Sequence, residues 1–105
     1  MNGLAQKFFA LSDDTRLTVL QQLLEGGVAS VGELAAPHDM TLAAFMKHVR
    51  VLEDASLLQR RKIGRTVWCQ IDVTPLRQVS AWAAHYETFW AEQLASLESF
   101  VDSQA

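Results

Sequence analysis

The sequence predicts a mainly α-helical chain with one small β-hairpin and a long C-terminal helix. Three observations carry this expectation. Up to about residue 57, apolar residues recur at steps of three and four, in segments separated by capping and turn residues. A run around Gly64 then alternates between β-forming and polar side chains. From Leu76 to beyond Ser99, no glycine or proline interrupts the chain.

In the first segment, Leu4, Phe8, Phe9 and Leu11 fall at roughly helical spacing. Ser12-Asp13-Asp14 supplies capping side chains before Leu17, Val19, Leu20, Leu23 and Leu24, and Gly26-Gly27 stops the second helix. Ser30, with Glu33 three residues on, makes a capping-box pattern for a short third helix that ends before Pro37. After the turn 37–40, Thr41 is a good N-cap for a fourth helix, 41–55, whose inward face is Phe45, His48 or Val49, and Leu52. The segment 59–68 holds Arg60, Arg61 and Lys62, then Gly64-Arg65, then Thr66, Val67 and Trp68. With the strand continuing to Ile71, it reads as a β-hairpin. Thr74-Pro75 opens the last helix with threonine at the cap and proline in the first turn, where its missing N–H does no harm. A helix from Pro75 to about Val101 is roughly 40 Å long.

Length and composition set the class. A chain of 105 residues, half apolar and a fifth charged, fits one folded domain spanning 1–105. Met1 to Ala10 has neither the basic head nor the apolar run of a secretory signal, and no stretch is long and apolar enough for a membrane span. A single cysteine, Cys69, makes no internal disulfide, so a reduced, cytoplasmic protein is expected. The net charge of -3 conceals an uneven distribution. Residues 41–68 carry six basic side chains against two acidic ones, whereas the remainder carries three against ten. One basic block in an acidic chain points to a surface for a polyanion.

Two short helices joined by a tight turn and followed by a basic-rimmed hairpin make a winged helix-turn-helix pattern. A helix fits the major groove of duplex DNA, its outward side chains read base edges, and a hairpin beside it reaches the neighbouring backbone. With Phe45, Val49 and Leu52 packed inward, Leu42, Ala43, Met46, Lys47 and Arg50 are expected to face outward. Lys47 and Arg50 can neutralise phosphates or donate to guanine, and Thr41 can donate to a phosphate at the helix start. Arg60, Arg61, Lys62 and Arg65 are expected on backbone or minor groove.

The run Ala10-Leu11-Ser12-Asp13-Asp14-Thr15-Arg16-Leu17 resembles the opening signature of ArsR-type regulators. So does His48-Val49-Arg50-Val51-Leu52-Glu53-Asp54-Ala55-Ser56-Leu57-Leu58, followed by Arg60-Arg61 and Gly64-Arg65. The resemblance spans nearly the whole chain in the right order. It implies a homodimeric transcriptional regulator, usually a repressor, whose partners are double-stranded DNA bearing an inverted-repeat operator and a second copy of itself. Such proteins commonly begin the recognition helix with a polar pair such as Ser-Gln and place another serine towards the groove. Here Thr41, Leu42 and Met46 stand instead. Apolar side chains cannot make bidentate bonds to a base, though they can touch a thymine methyl.

On the last helix, Leu76, Val79, Trp82, Ala83, Tyr86, Phe89, Trp90, Leu94, Leu97, Phe100 and Val101 form an apolar stripe too wide and long for the small domain beside it. Packing of 75–102 against its copy, joined by Leu4, Phe8 and Phe9 from 1–11, is the simplest way to cover it. A small-molecule pocket lined by Trp82, Tyr86, Phe89 and Trp90 is the competing use.

Other classes fare worse. The third helix, Ser30-Val31-Gly32-Glu33-Leu34, has no thiol where the resembling family often places a pair, and Cys69 alone cannot build a soft-metal site. His38, His48 and His85 are scattered, and His48 reads as a hydrogen-bonded structural residue. No metal and no cofactor is therefore expected. The chain has no phosphate loop, no nucleophile-and-base pattern and no carboxylate pair near a histidine, so an enzyme is not expected either. The alternative from another class is a protein–protein module on a winged-helix scaffold, supported by Leu42 and Met46 and opposed by the cations at 60–65. The residues name no effector.

Overall fold

The structure, a computed structural model, describes residues 3–104, so Met1, Asn2 and Ala105 lie outside the described residues. Helix α1 (Leu4–Leu11) leads into α2 (Asp14–Gly26). The Asp13 side chain caps α2 by accepting the Arg16 backbone N–H at 3.0 Å. Gly27 ends it at φ 84, a conformation that L side chains rarely adopt, with its N–H donating to the Leu23 carbonyl. Strand β1 (Val28–Ser30) follows, then the short helix α3 (Val31–Ala35), which opens with the expected capping box between Ser30 and Glu33. Thr41 caps α4 (Leu42–Asp54), its hydroxyl oxygen accepting the Ala44 N–H at 3.1 Å. Strands β2 (Leu58–Ile63) and β3 (Thr66–Ile71) form the hairpin, and α5 (Thr74–Gln104) completes the chain. Ile63 pairs with Thr66, so the turn has two residues, and Gly64 at φ 63 occupies the first, as a type II′ turn requires.

The sheet has three strands in the order β1-β3-β2, all antiparallel, one more than the hairpin that the sequence predicts. Strand β1 pairs Val28, Ala29 and Ser30 with Gln70, Cys69 and Trp68. Three residues that follow a helix-ending glycine and end on a helix-capping serine are too short to show an alternation, so this strand exists through its pairing and not through its own pattern.

The core lies between α2, α3, α4 and the inner face of the sheet. Phe45, Val49 and Leu52 from α4, Val19 and Leu23 from α2, Leu34 from α3, and Leu57, Leu58 and Cys69 from the hairpin region are fully buried. Between His48 and Val49, the inward position thus belongs to Val49. The first helix departs from expectation: Lys7 and Ala10 are its buried residues, while Phe8 and Phe9 are exposed. Phe8 leans edge-on against Trp82 of α5, with ring centroids 5.3 Å apart, and Phe9 lies under the Arg16 guanidinium. Leu17 and Leu24 of α2 likewise stay outside the core.

Helix α5, at 31 residues, is about 46 Å long. Pro75 is buried and Leu76 and Val79 are half-buried, and from Ser80 onward every described residue of the helix is exposed. The chain measures 70 × 27 × 23 Å with a radius of gyration of 19.1 Å. A compact chain of this length has a radius of about 13 Å. The excess is the free length of α5. Among the described residues, no helix is long and apolar enough to cross a membrane.

Candidate nucleic-acid interface

Helix α4 is held to the start of the chain by one buried cation. Arg16 donates from Nε to the Ala10 carbonyl at 2.7 Å, from Nη2 to the Phe9 carbonyl at 3.1 Å, and from Nη1 to His48 Nδ1 at 2.9 Å. Arginine is a donor only, so the last bond requires His48 Nδ1 to accept, in the neutral tautomer with its proton on Nε2. Asp13 Oδ2 lies 3.6 Å from the same nitrogen. The Arg16 backbone N–H, opposed by partial burial and helped by the neighbouring Arg16 charge, holds the Asp13 carboxyl below the usual carboxylate range. The end of α1, the start of α2 and the middle of α4 are thereby tied together. Residue patterns point to His48 as structural but do not single out Arg16. A usable signal was its place three residues past the cap, where a cation opposes the helix dipole and calls for a specific partner.

With that clamp on one side and the core on the other, α4 presents Leu42, Ala43, Lys47 and Arg50 to solvent, and Thr41 is exposed at its start. Met46 differs from expectation. It is half-buried and packs against the core, because its position lies at the edge of the stripe led by Phe45 and Val49.

The hairpin separates its cations. Arg60 donates from Nε and Nη2 to the two carboxylate oxygens of Glu53, both at 2.9 Å, a bidentate pair from β2 to the last turn of α4. That carboxylate holds the guanidinium still more firmly protonated and occupies two of its donors, so Arg60, expected on backbone or minor groove, is engaged within the chain. Successive strand residues leave opposite faces. Arg61 therefore lies on the other face, in a shallow groove of about 570 Å³ with Val28, Ile63, Trp68 and the amides Gln59 and Gln70, to whose lining Arg60 and Cys69 also contribute. Arg61, Lys62 and Arg65 are exposed. The Glu53–Arg60 pair escapes the sequence because it depends on how the turn at 55–57 folds β2 back over α4.

On α5, Trp82 stacks on Tyr86 with centroids 5.1 Å apart and an interplanar angle of 10°, and Tyr86 and Phe89 meet Trp90 edge-on. Trp82, Tyr86, Phe89 and Trp90 are 45–49% exposed, and Leu94 and Leu97 more than half. Val79 and Leu4 are half-buried. Cys69 is fully buried in β3, and that burial pushes its thiol pKa up despite the nearby Arg60 charge. Among the described residues, no three His, Cys, Asp or Glu side chains stand together as a metal-binding group.

Residues 11–61 match a family model described as a helix-turn-helix domain. The chain is 33% identical, over 90% of its length and 85% of the relative's, to an HTH-type transcriptional regulator of Mycobacterium tuberculosis (strain ATCC 25618 / H37Rv). It is also 33% identical to the arsenical resistance operon repressor of Escherichia coli (strain K12), over 75% of this chain and 64% of that one. Among solved structures, the crystal structure of an ArsR family transcriptional regulator superposes with a TM-score of 0.79 at 43% identity, covering 84% of this chain and 90% of that chain.

Proposed function

Because the chain belongs to the ArsR family of helix-turn-helix transcriptional regulators, and is therefore no enzyme, we propose that it acts as a homodimeric repressor of an inverted-repeat operator. Helix α4 enters the major groove, and the β2–β3 hairpin lies along the flanking backbone. The observation that carries this reading is the charge map. Lys47 and Arg50 are exposed on α4 and Arg61, Lys62 and Arg65 are exposed on the hairpin, in a chain whose remaining charged residues are mostly acidic. Cations so placed attract phosphates, and the acidic remainder keeps the rest of the molecule off the duplex. Thr41 keeps its hydroxyl proton for a phosphate, since its cap bond uses only the oxygen as acceptor.

The dimer is built on α5 with Leu4 and Phe8 of α1. Its support is the uncovered stripe from Trp82 to Leu97, which a single chain leaves in water. An aromatic effector pocket on α5 has weaker support: its four rings stand on one exposed helix. Repression is the action named for the Escherichia coli relative, and it is the one proposed for this chain. Its arsenical response is not carried over, because this chain has a single, buried cysteine. One observation favours a second reading, a partner-binding module: Leu42 is 61% exposed on the face assigned to DNA.

Fluorescence anisotropy with duplexes tiled across the chain's own upstream region, at two salt concentrations, tests the proposal. Tight, salt-sensitive binding to one partly palindromic duplex is expected. Binding to none, even at low salt, would transfer the weight to the partner-binding module.

A further inference from the structure

We propose that α4 selects thymine by its methyl group, through Leu42 and Ala43, at the operator position facing the helix start; the inference rests on the reading that α4 lies in the major groove. The start of α4 offers little else to a base. From Leu42 to Asp54 the helix contains no asparagine, glutamine, serine or threonine, so it lacks the amides that grip adenine in a bidentate pair. The Thr41 oxygen is engaged with the Ala44 N–H. Leu42, 61% exposed, and Ala43 beside it are the first side chains of the helix to meet a groove floor. Met46, one turn on from Leu42, is half-buried and packed on the core, which leaves Leu42 and Ala43 as the exposed apolar edge. Lys47 and Arg50 lie further along the exposed face.

The major groove has one apolar feature, the C5-methyl of thymine. Burying it against Leu42 removes apolar surface from water on both partners. Cytosine at the same place would present an N4 amino group to a leucine, and a donor stripped of water without an acceptor weighs against binding. The apolar edge thus favours thymine and disfavours cytosine without a single hydrogen bond.

The test uses the bound duplex identified above, with each thymine replaced singly by deoxyuridine, which deletes the methyl and leaves every hydrogen-bonding group in place. The wild-type protein should lose about four-fold in affinity at each contacted thymine. In Leu42→Ala that loss should shrink towards nothing at the same thymine, with the salt slope unchanged because no charge has been removed. Equal affinity of the wild-type protein for thymine and deoxyuridine at every position overturns the inference and leaves the regulator reading intact. So does a deoxyuridine penalty as large in Leu42→Ala as in the wild type. Failure to bind any duplex overturns both.

Discussion

On β2, successive side chains leave opposite faces of the sheet, which sends Arg60 to Glu53 on α4 and Arg61 to the groove beside Trp68. The two neighbours therefore differ in what they can give a phosphate. Each free cation that neutralises a phosphate contributes about 0.9 to the slope of log affinity against log salt. Arg61→Ala and Arg65→Ala should each flatten that slope by about this amount, while Arg60→Ala changes it little. Glu53→Gln should steepen it, because the guanidinium is released. Titration of the operator duplex at four salt concentrations decides the matter, and equal losses from Arg60→Ala and Arg61→Ala would refute the role given to Glu53. Cys69 allows a second check at this scale. Its buried thiol, with its pKa pushed up, stays protonated at neutral pH, and the thiol form is not the nucleophile. Native protein should react slowly with a disulfide reagent and promptly once unfolded in urea. Fast labelling of the native protein would show that β3 opens.

At the scale of elements, the joint between α1, α2 and α4 sets where the exposed face of α4 points, and Asp13 is its ionisable cap. The folded pKa of Asp13 is lowered, so the cap's contribution is fully present above the ordinary carboxylate value of about 4. It is lost as the pH falls through the lower folded value. Asp13→Ala should cost about 1 kcal/mol in urea unfolding at pH 7, with the gap narrowing below about pH 4. Asp13→Asn keeps a cap acceptor and should retain most of the stability at both pH values; a full loss in Asn would mean that charge, not capping, holds the joint. Capping chemistry is local, which is why Asp13, the Ser30–Glu33 box, Thr41 and the glycine end of α2 are legible from residues alone. The inward stripe of α4 is legible too, since Phe45, Val49 and Leu52 repeat at helical steps. Other features depend on what folds back from elsewhere. Strand β1 needs β3 beside it, the Arg60–Glu53 pair needs the turn between them, and Met46 sits on the boundary of a stripe whose width the neighbouring helices decide. Periodicity misleads most on α1, where bulky Phe8 and Phe9 suggest the buried row and Lys7 and Ala10 fill it.

For the whole molecule, the proposed dimer explains two quantities at once: a radius of gyration near 19.1 Å and the exposed aromatic stripe of α5. A lone helix of this length with its apolar side in water gains little from tertiary packing beyond Trp82, yet packing of an apolar face supplies most helical stability in proteins. Pairing with a second α5 under two-fold symmetry covers the stripe and fixes two α4 helices in a set relation, which an inverted-repeat operator mirrors with half-sites one helical turn apart. Phe89→Ala with Trp90→Ala should then yield monomers or insoluble protein, read by sedimentation velocity. The soluble monomers should bind a single half-site about as well as the wild-type chain does, because Lys47, Arg50 and the hairpin are untouched. They should lose the large gain that the wild-type dimer draws from engaging both halves of one duplex. Linkage adds a measurement that needs no mutation: if folding and pairing are coupled, the wild-type Tm rises with protein concentration. A concentration-independent Tm, together with a stable dimer from the double variant, would place the interface on another surface, such as that carrying the exposed Leu17 and Leu24 of α2.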